Sequence, residues 1–104
     1  MRVLLFTSSH CAHCPAAERI VKKVVPEYRE YGLLYRKIRL KSPEGKEYFP
    51  RYGVMGTPTI ILIDDDGKEV KRIIGAPSEN NFRAELEKLL GLRKKSFLGK
   101  FFGH

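Results

Sequence analysis

Val3-Leu4-Leu5-Phe6-Thr7-Ser8-Ser9-His10-Cys11-Ala12-His13-Cys14-Pro15-Ala16-Ala17 is the stretch on which the fold turns. Arg2 to Thr7 is an apolar run of strand length, and it ends in the polar loop Thr7-Ser8-Ser9-His10. From Cys14 onward Ala17, Ile20, Val21, Val24 and Val25 recur at helical spacing. Pro15 fits the first turn of that helix because its missing N–H would have no intrahelical partner there. The two cysteines of the chain therefore sit with two residues between them where a strand gives way to a helix. This placement lets one sulfur attack a partner disulfide and the other resolve the product, so the pair reads as a dithiol redox site.

Working outward, Pro26 interrupts the first helix, and Tyr28 and Tyr31 carry it on to a stop at Gly32. Leu33 to Leu40, with Tyr35, Ile38 and Leu40 set among Arg36, Lys37 and Arg39, predicts a second strand. Ser42-Pro43-Glu44 reads as an N-cap with proline at the first helical position, opening a short helix that Gly45 and Pro50 should damage. Thr57 to Ile63 predicts a third strand, Asp65-Asp66-Gly67 a hairpin turn, and Glu69 to Ile74 its antiparallel partner. Asp64-Asp65-Asp66-Gly67 lacks the spacing and closing glutamate of a calcium loop and is read as a turn. Ser78 caps a last helix whose apolar stripe is Phe82, Leu86, Leu89 and Leu90. The order βαβαββα predicts an α/β fold: a four-stranded mixed sheet with helices on both faces. Right-handed crossovers join its first strands, and the last pair runs antiparallel. The cysteine pair then lies at the C-terminal end of the first strand, where open α/β sheets carry their active crevices.

A chain of 104 residues with 42% apolar and 31% charged residues suits one soluble domain and leaves no room for a second. No apolar stretch approaches a membrane span, and the N-terminal apolar run is too short for a secretory signal core, so a cytoplasmic protein is expected. Of the 20 basic residues, Arg93, Lys94, Lys95 and Lys100 fall in 92–104, where no acidic residue occurs; half of the +8 net charge lies there. Over 1–91 the signs are interspersed as on an ordinary solvated surface, and no nucleic-acid motif accompanies them. The division expected is a domain over 1–91 and a basic, aromatic tail over 92–104. Wound as a helix, the tail would place Phe97, Leu98, Phe101 and Phe102 on one side, a segment suited to a partner or an anionic membrane.

Three segments in order carry a family resemblance: Leu4-Leu5-Phe6 leading into Cys11-Ala12-His13-Cys14; Tyr52-Gly53-Val54-Met55-Gly56-Thr57-Pro58-Thr59; and Gly67-Lys68-Glu69-Val70 with Gly75-Ala76-Pro77-Ser78. Over about residues 2–91 the chain resembles the thioredoxin family, and its compact length is similar to the small archaeal thioredoxins and glutaredoxins. The resemblance implies a thioredoxin-like fold and a thiol–disulfide oxidoreductase acting on disulfide-containing protein substrates, recharged by an upstream reductase, with no bound cofactor and as a monomer. It implies that Cys11 is the exposed attacker, its thiolate favoured by the helix N-terminus, and Cys14 the buried resolver. It implies further that Thr57-Pro58 is a cis-proline loop facing the pair, with Ala12, Thr57, Pro58 and Gly75 contacting substrate.

Departures from the family pattern bear on mechanism. His13 between the sulfurs would stabilise the Cys11 thiolate and make the disulfide more oxidising. Histidine there, with threonine before the proline, is similar to protein disulfide isomerases, whereas thioredoxin reductants usually carry proline and isoleucine. The family's tryptophan before the first cysteine is His10, and the buried aspartate that helps deprotonate the resolving cysteine falls on Leu5, leaving water or another group to assist Cys14. Two rival readings stand beside this one. A glutathione-dependent, glutaredoxin-like reductase would use Arg2, Lys37 or Arg39 against a carboxylate, although Gly75-Ala76-Pro77-Ser78-Glu79 looks more like thioredoxin. A metal or iron–sulfur site would use Cys11 and Cys14 with His10 and His13, but no second ligand pair precedes His104.

Overall fold

Leu4, Leu5 and Phe6 on the first strand are all buried, although alternate residues of a strand point to opposite faces. Both faces of the sheet must therefore be covered, and in the computed structural model, which describes residues 1–92, they are. Strands β1 (Arg2–Thr7), β2 (Leu34–Arg39), β3 (Thr59–Ile63) and β4 (Glu69–Ile74) form one sheet in the order β2-β1-β3-β4. β1 and β2 are parallel, joined through α1 (Cys14–Val24) and a 3₁₀ helix (Val25–Tyr31). β3 runs antiparallel to both β1 and β4. A crossover between parallel strands thus occurs once, from β1 to β2. The connection through α2 (Pro43–Arg51) instead reverses the chain, which corrects the expectation of several crossovers.

The two faces hold separate cores. Val3, Leu5, Ile60 and Leu62 turn toward α1 and α3 (Glu79–Leu89), meeting Ala17, Val21, Phe82 and Leu86. Leu4, Phe6, Ile61 and Ile63 turn toward α2, where the Phe49 ring meets Phe6 edge-on at 5.0 Å between centroids. Pro26 ends α1 as read from the sequence, and Gly32, at φ +85°, closes the 3₁₀ turn in the left-handed region open to glycine. The Ser42 hydroxyl accepts the Gly45 N–H at 2.9 Å and the Ser78 hydroxyl accepts the Asn81 N–H at 3.1 Å, so both serines cap their helices. The hairpin turn is organised by Asp64, whose Oδ1 accepts from the N–H groups of Asp66 and Lys68, both at 2.9 Å.

Two expectations change. α2 runs unbroken through Gly45 and Pro50 to Arg51. Gly45 does not weaken it: a Cβ there would stand 1.8 Å from the Arg39 carbonyl, so the missing side chain lets the first turn of α2 lie against the end of β2. β3 begins at Thr59 and not Thr57, since Pro58 has no N–H to give a sheet; the Thr57-Pro58 bond is cis. The tail reading lies outside the described residues. Among those residues no helix is long and apolar enough to cross a membrane.

Candidate active site

The loop after β1 and the start of α1 place the two sulfurs. Cys11 and Cys14 are joined as a disulfide with their α-carbons 5.4 Å apart. Cys14, the first residue of α1, is 6% exposed, whereas Cys11 is half-buried and Ala12 and His13 are open to solvent. Cys11 precedes the helix by three residues, a correction to its placement at the helix start, but its bond to Cys14 holds the sulfur at the helix N-terminus. There His13 supplies no side-chain cap, Pro15 has no N–H, and no acidic residue stands in the first turn. The positive end of the helix dipole is therefore left to the sulfurs.

Thr57-Pro58 is brought to the same end of the sheet. The Ser8 and Thr57 hydroxyls meet at 2.7 Å, tying the cysteine loop to the cis-proline loop. The Gly75 N–H donates to the Pro58 carbonyl at 2.9 Å, and Gly75 takes φ +91° to do so. Met55 and Ile74, 99% and 80% exposed, flank this loop. Neither was singled out from the sequence, because apolar residues in a loop or at a strand end resemble core until their exposure is known.

On the α1 and β2 side a cleft of ≈ 650 Å³ opens beside the sulfurs, with Cys11, Cys14, Glu18, Lys37, Arg39 and Lys41 among its walls. The Lys37 ammonium donates to the Glu18 carboxylate at 2.5 Å, and Lys22 stands 3.7 Å from its other oxygen. The Lys37 hydrogen bond, opposed by partial burial and helped by the charges of Lys37 and Lys22, holds the Glu18 carboxyl below its ordinary range. Lys37 is thus engaged within the chain and not left for a ligand carboxylate, while Arg2 lies at the far end of β1 from the cysteines. Glu18 was missed from the sequence; the signal that could have found it is its spacing, one helical turn beyond Cys14. Among the described residues no three histidine, cysteine, aspartate or glutamate side chains converge as a metal site.

A thioredoxin-like domain profile matches residues 2–90. The chain belongs to the thioredoxin-like family. It is 33% identical over 87 residues to a probable thioredoxin of Archaeoglobus fulgidus, covering 84% of this chain and 87% of that protein. It is 32% identical over 91 residues to a thioredoxin of Methanocaldococcus jannaschii, covering 86% and 96% respectively. A mutant thioredoxin from Halobacterium salinarum shares the fold, with a TM-score of 0.69 at 24% identity over 84% of this chain and 72% of that one. This thioredoxin-like protein is a thiol–disulfide oxidoreductase with a Cys11–Cys14 redox pair. The glutaredoxin-like and metal-binding readings are not favoured.

Proposed function

We propose that this oxidoreductase reduces or exchanges disulfides of protein substrates, with Cys11 as attacker and Cys14 as resolver. The observation that carries the reading is the unequal burial of the two cysteines, Cys11 half-buried and Cys14 buried. The Cys11 thiolate attacks one sulfur of a substrate disulfide, expelling the other as thiolate and forming a mixed disulfide. Cys14 then attacks Cys11, releasing the second substrate thiol and leaving the Cys11–Cys14 disulfide for an upstream reductase to return to the dithiol. Among the described residues, the Thr57 N–H and carbonyl make no hydrogen bond within the chain, which supports their pairing with an extended substrate segment. Ala12 and Gly75 would border that segment, and exposed Met55 and Ile74 give it apolar contacts. Both cysteines are spent on the reactive pair and none on a structural bridge, the usage of a reducing compartment, and we place the protein in the cytoplasm as a monomer.

Insulin disulfide reduction tests the assignment. Cys11→Ser abolishes turnover, whereas Cys14→Ser keeps the first attack and accumulates a mixed disulfide visible by mass spectrometry. Turnover by Cys11→Ser near the wild-type rate would remove Cys11 as attacker.

A further inference from the structure

We propose that Glu18, positioned by Lys37, accepts the proton of Cys14 when the mixed disulfide is resolved. The inference rests on the oxidoreductase reading and supplies the group that reading leaves unassigned. Cys14 must become a thiolate to attack Cys11, yet it is 6% exposed, which hinders loss of its proton directly to bulk water. β1 carries no carboxylate, and Leu5 occupies the position beside Lys37 in the parallel pairing of β1 and β2. Glu18 lies four residues beyond Cys14 on α1, a spacing that puts two side chains on one helix face about 5–6 Å apart at Cβ. Both residues line the cleft beside the disulfide, and Glu18 is the one carboxylate among the described residues that do so.

Two lysines keep this carboxylate anionic at neutral pH and lower its affinity for a proton, so it can take one only in passing and hands it on to the departing sulfur. Lys37 from β2 donates to one carboxylate oxygen and Lys22 on α1 approaches the other. Arg39 and Lys41 complete the positive wall of the same cleft. Tyr35 on β2 stays protonated: burial, with a smaller contribution from the Glu18 charge, pushes its hydroxyl up to about 12. In the step itself the Cys14 thiol gives its proton to Glu18, directly or through a water in the cleft. The Cys14 thiolate attacks the Cys11 sulfur, and the bond from Cys11 to the substrate sulfur breaks. The departing sulfur leaves with the bonding pair and takes the proton from Glu18. Two electrons pass from the dithiol to the substrate, and no further reactant is needed.

Reaction of the reduced full chain with 5,5′-dithiobis(2-nitrobenzoate) separates the two half-reactions. One thionitrobenzoate is released when Cys11 attacks and a second when Cys14 resolves. Stopped-flow traces of wild type and Glu18→Gln across pH are expected to show the same first phase. The second phase of the variant is slowed roughly ten- to a hundredfold at neutral pH, with the deficit closing at alkaline pH as Cys14 ionises unaided. Glu18→Asp, which keeps the charge but shortens its reach, falls between the two, and serves alone if the glutamine variant does not fold. Equal second phases, a faster second phase in the variant, or a deficit of the same size at every pH would overturn the proposal. Absence of a first phase in wild type would count instead against the oxidoreductase reading.

Discussion

A sulfur that alternates between bond and anion responds to every positive charge within a few ångströms, and solvent-exposed His13, between the two cysteines at the helix N-terminus, is a side chain able to carry one. A protonated imidazole there stabilises the dithiol form through the Cys11 thiolate and raises the reduction potential. His13→Ala is therefore expected to make the couple more reducing by roughly 5–20 mV, taking a charge at a helix terminus as about 0.3–1 kcal/mol. Titration of both proteins against glutathione buffers reads the shift, and an unchanged or higher potential in the variant contradicts the role. A wild-type potential near about −270 mV marks a reductase and one near about −180 mV an isomerase or oxidant. The linked pair Cys11 and Cys14 and the cis Thr57-Pro58 bond were legible in the sequence because each belongs to a short local pattern. The contacts of Ser8 with Thr57 and of Lys37 with Glu18 were not, since they join residues 49 and 19 positions apart. Pairing of β1 with β3 brings Ser8 to Thr57, and pairing of β1 with β2 under α1 brings Lys37 to Glu18.

Glycine inside a helix ordinarily marks weakness, but in α2 it marks close approach of helix and strand. Gly45→Ala would place a methyl group 1.8 Å from the Arg39 carbonyl and 2.7 Å from that of Leu40, where no flexible side chain can yield. The expected cost is about 1–3 kcal/mol, measured as a lowered denaturant midpoint at unchanged slope. A neutral or stabilising effect, as helix propensity alone would give, would show that α2 can lift off β2 freely. The caps Ser42 and Ser78, the strand Arg2–Thr7 and the stop at Gly32 follow from local chemistry and were read directly from sequence. The direction of β3 relative to β1 and the continuity of α2 through Pro50 were not. The first depends on which strands become neighbours, and the second on packing of Phe49 and Tyr48 against the sheet outweighing a local breaker.

Across the whole molecule, ion pairs join elements distant in sequence: Arg83 of α3 to Glu27 of the 3₁₀ helix at 2.7 Å, Lys23 of α1 to Glu79 of α3 at 3.2 Å, and Lys37 of β2 to Glu18 of α1. Hydrogen bonds from Lys37 to Glu18 and from Arg83 to Glu27 and Glu79 are the largest cause holding these three carboxyls below the ordinary range. A carboxyl group that ionises more readily when folded contributes stability above its unfolded value, and that contribution is lost as pH falls through the folded one. Melting temperature is therefore expected to hold from neutrality down to about pH 5 and to fall below about pH 4. At the other extreme, burial pushes the Tyr28 and Tyr35 hydroxyls up to about 12, so their contribution is complete below about pH 10 and lost as pH rises toward 12. Thermal melts across this range check both limbs, and a protein that grew more stable on acidification below about pH 4 would refute the first.

The strand order leaves β2 and β4 outermost, one bearing Arg36, Lys37 and Arg39 and the other Glu69, Lys71 and Arg72. Strand margins that pair with no other strand among the described residues invite a second copy to zip on, and the charged side chains along them are costly to dehydrate. The fold thus carries its own guard against fibril-like stacking, leaving the sulfur-bearing end to govern which molecules it meets.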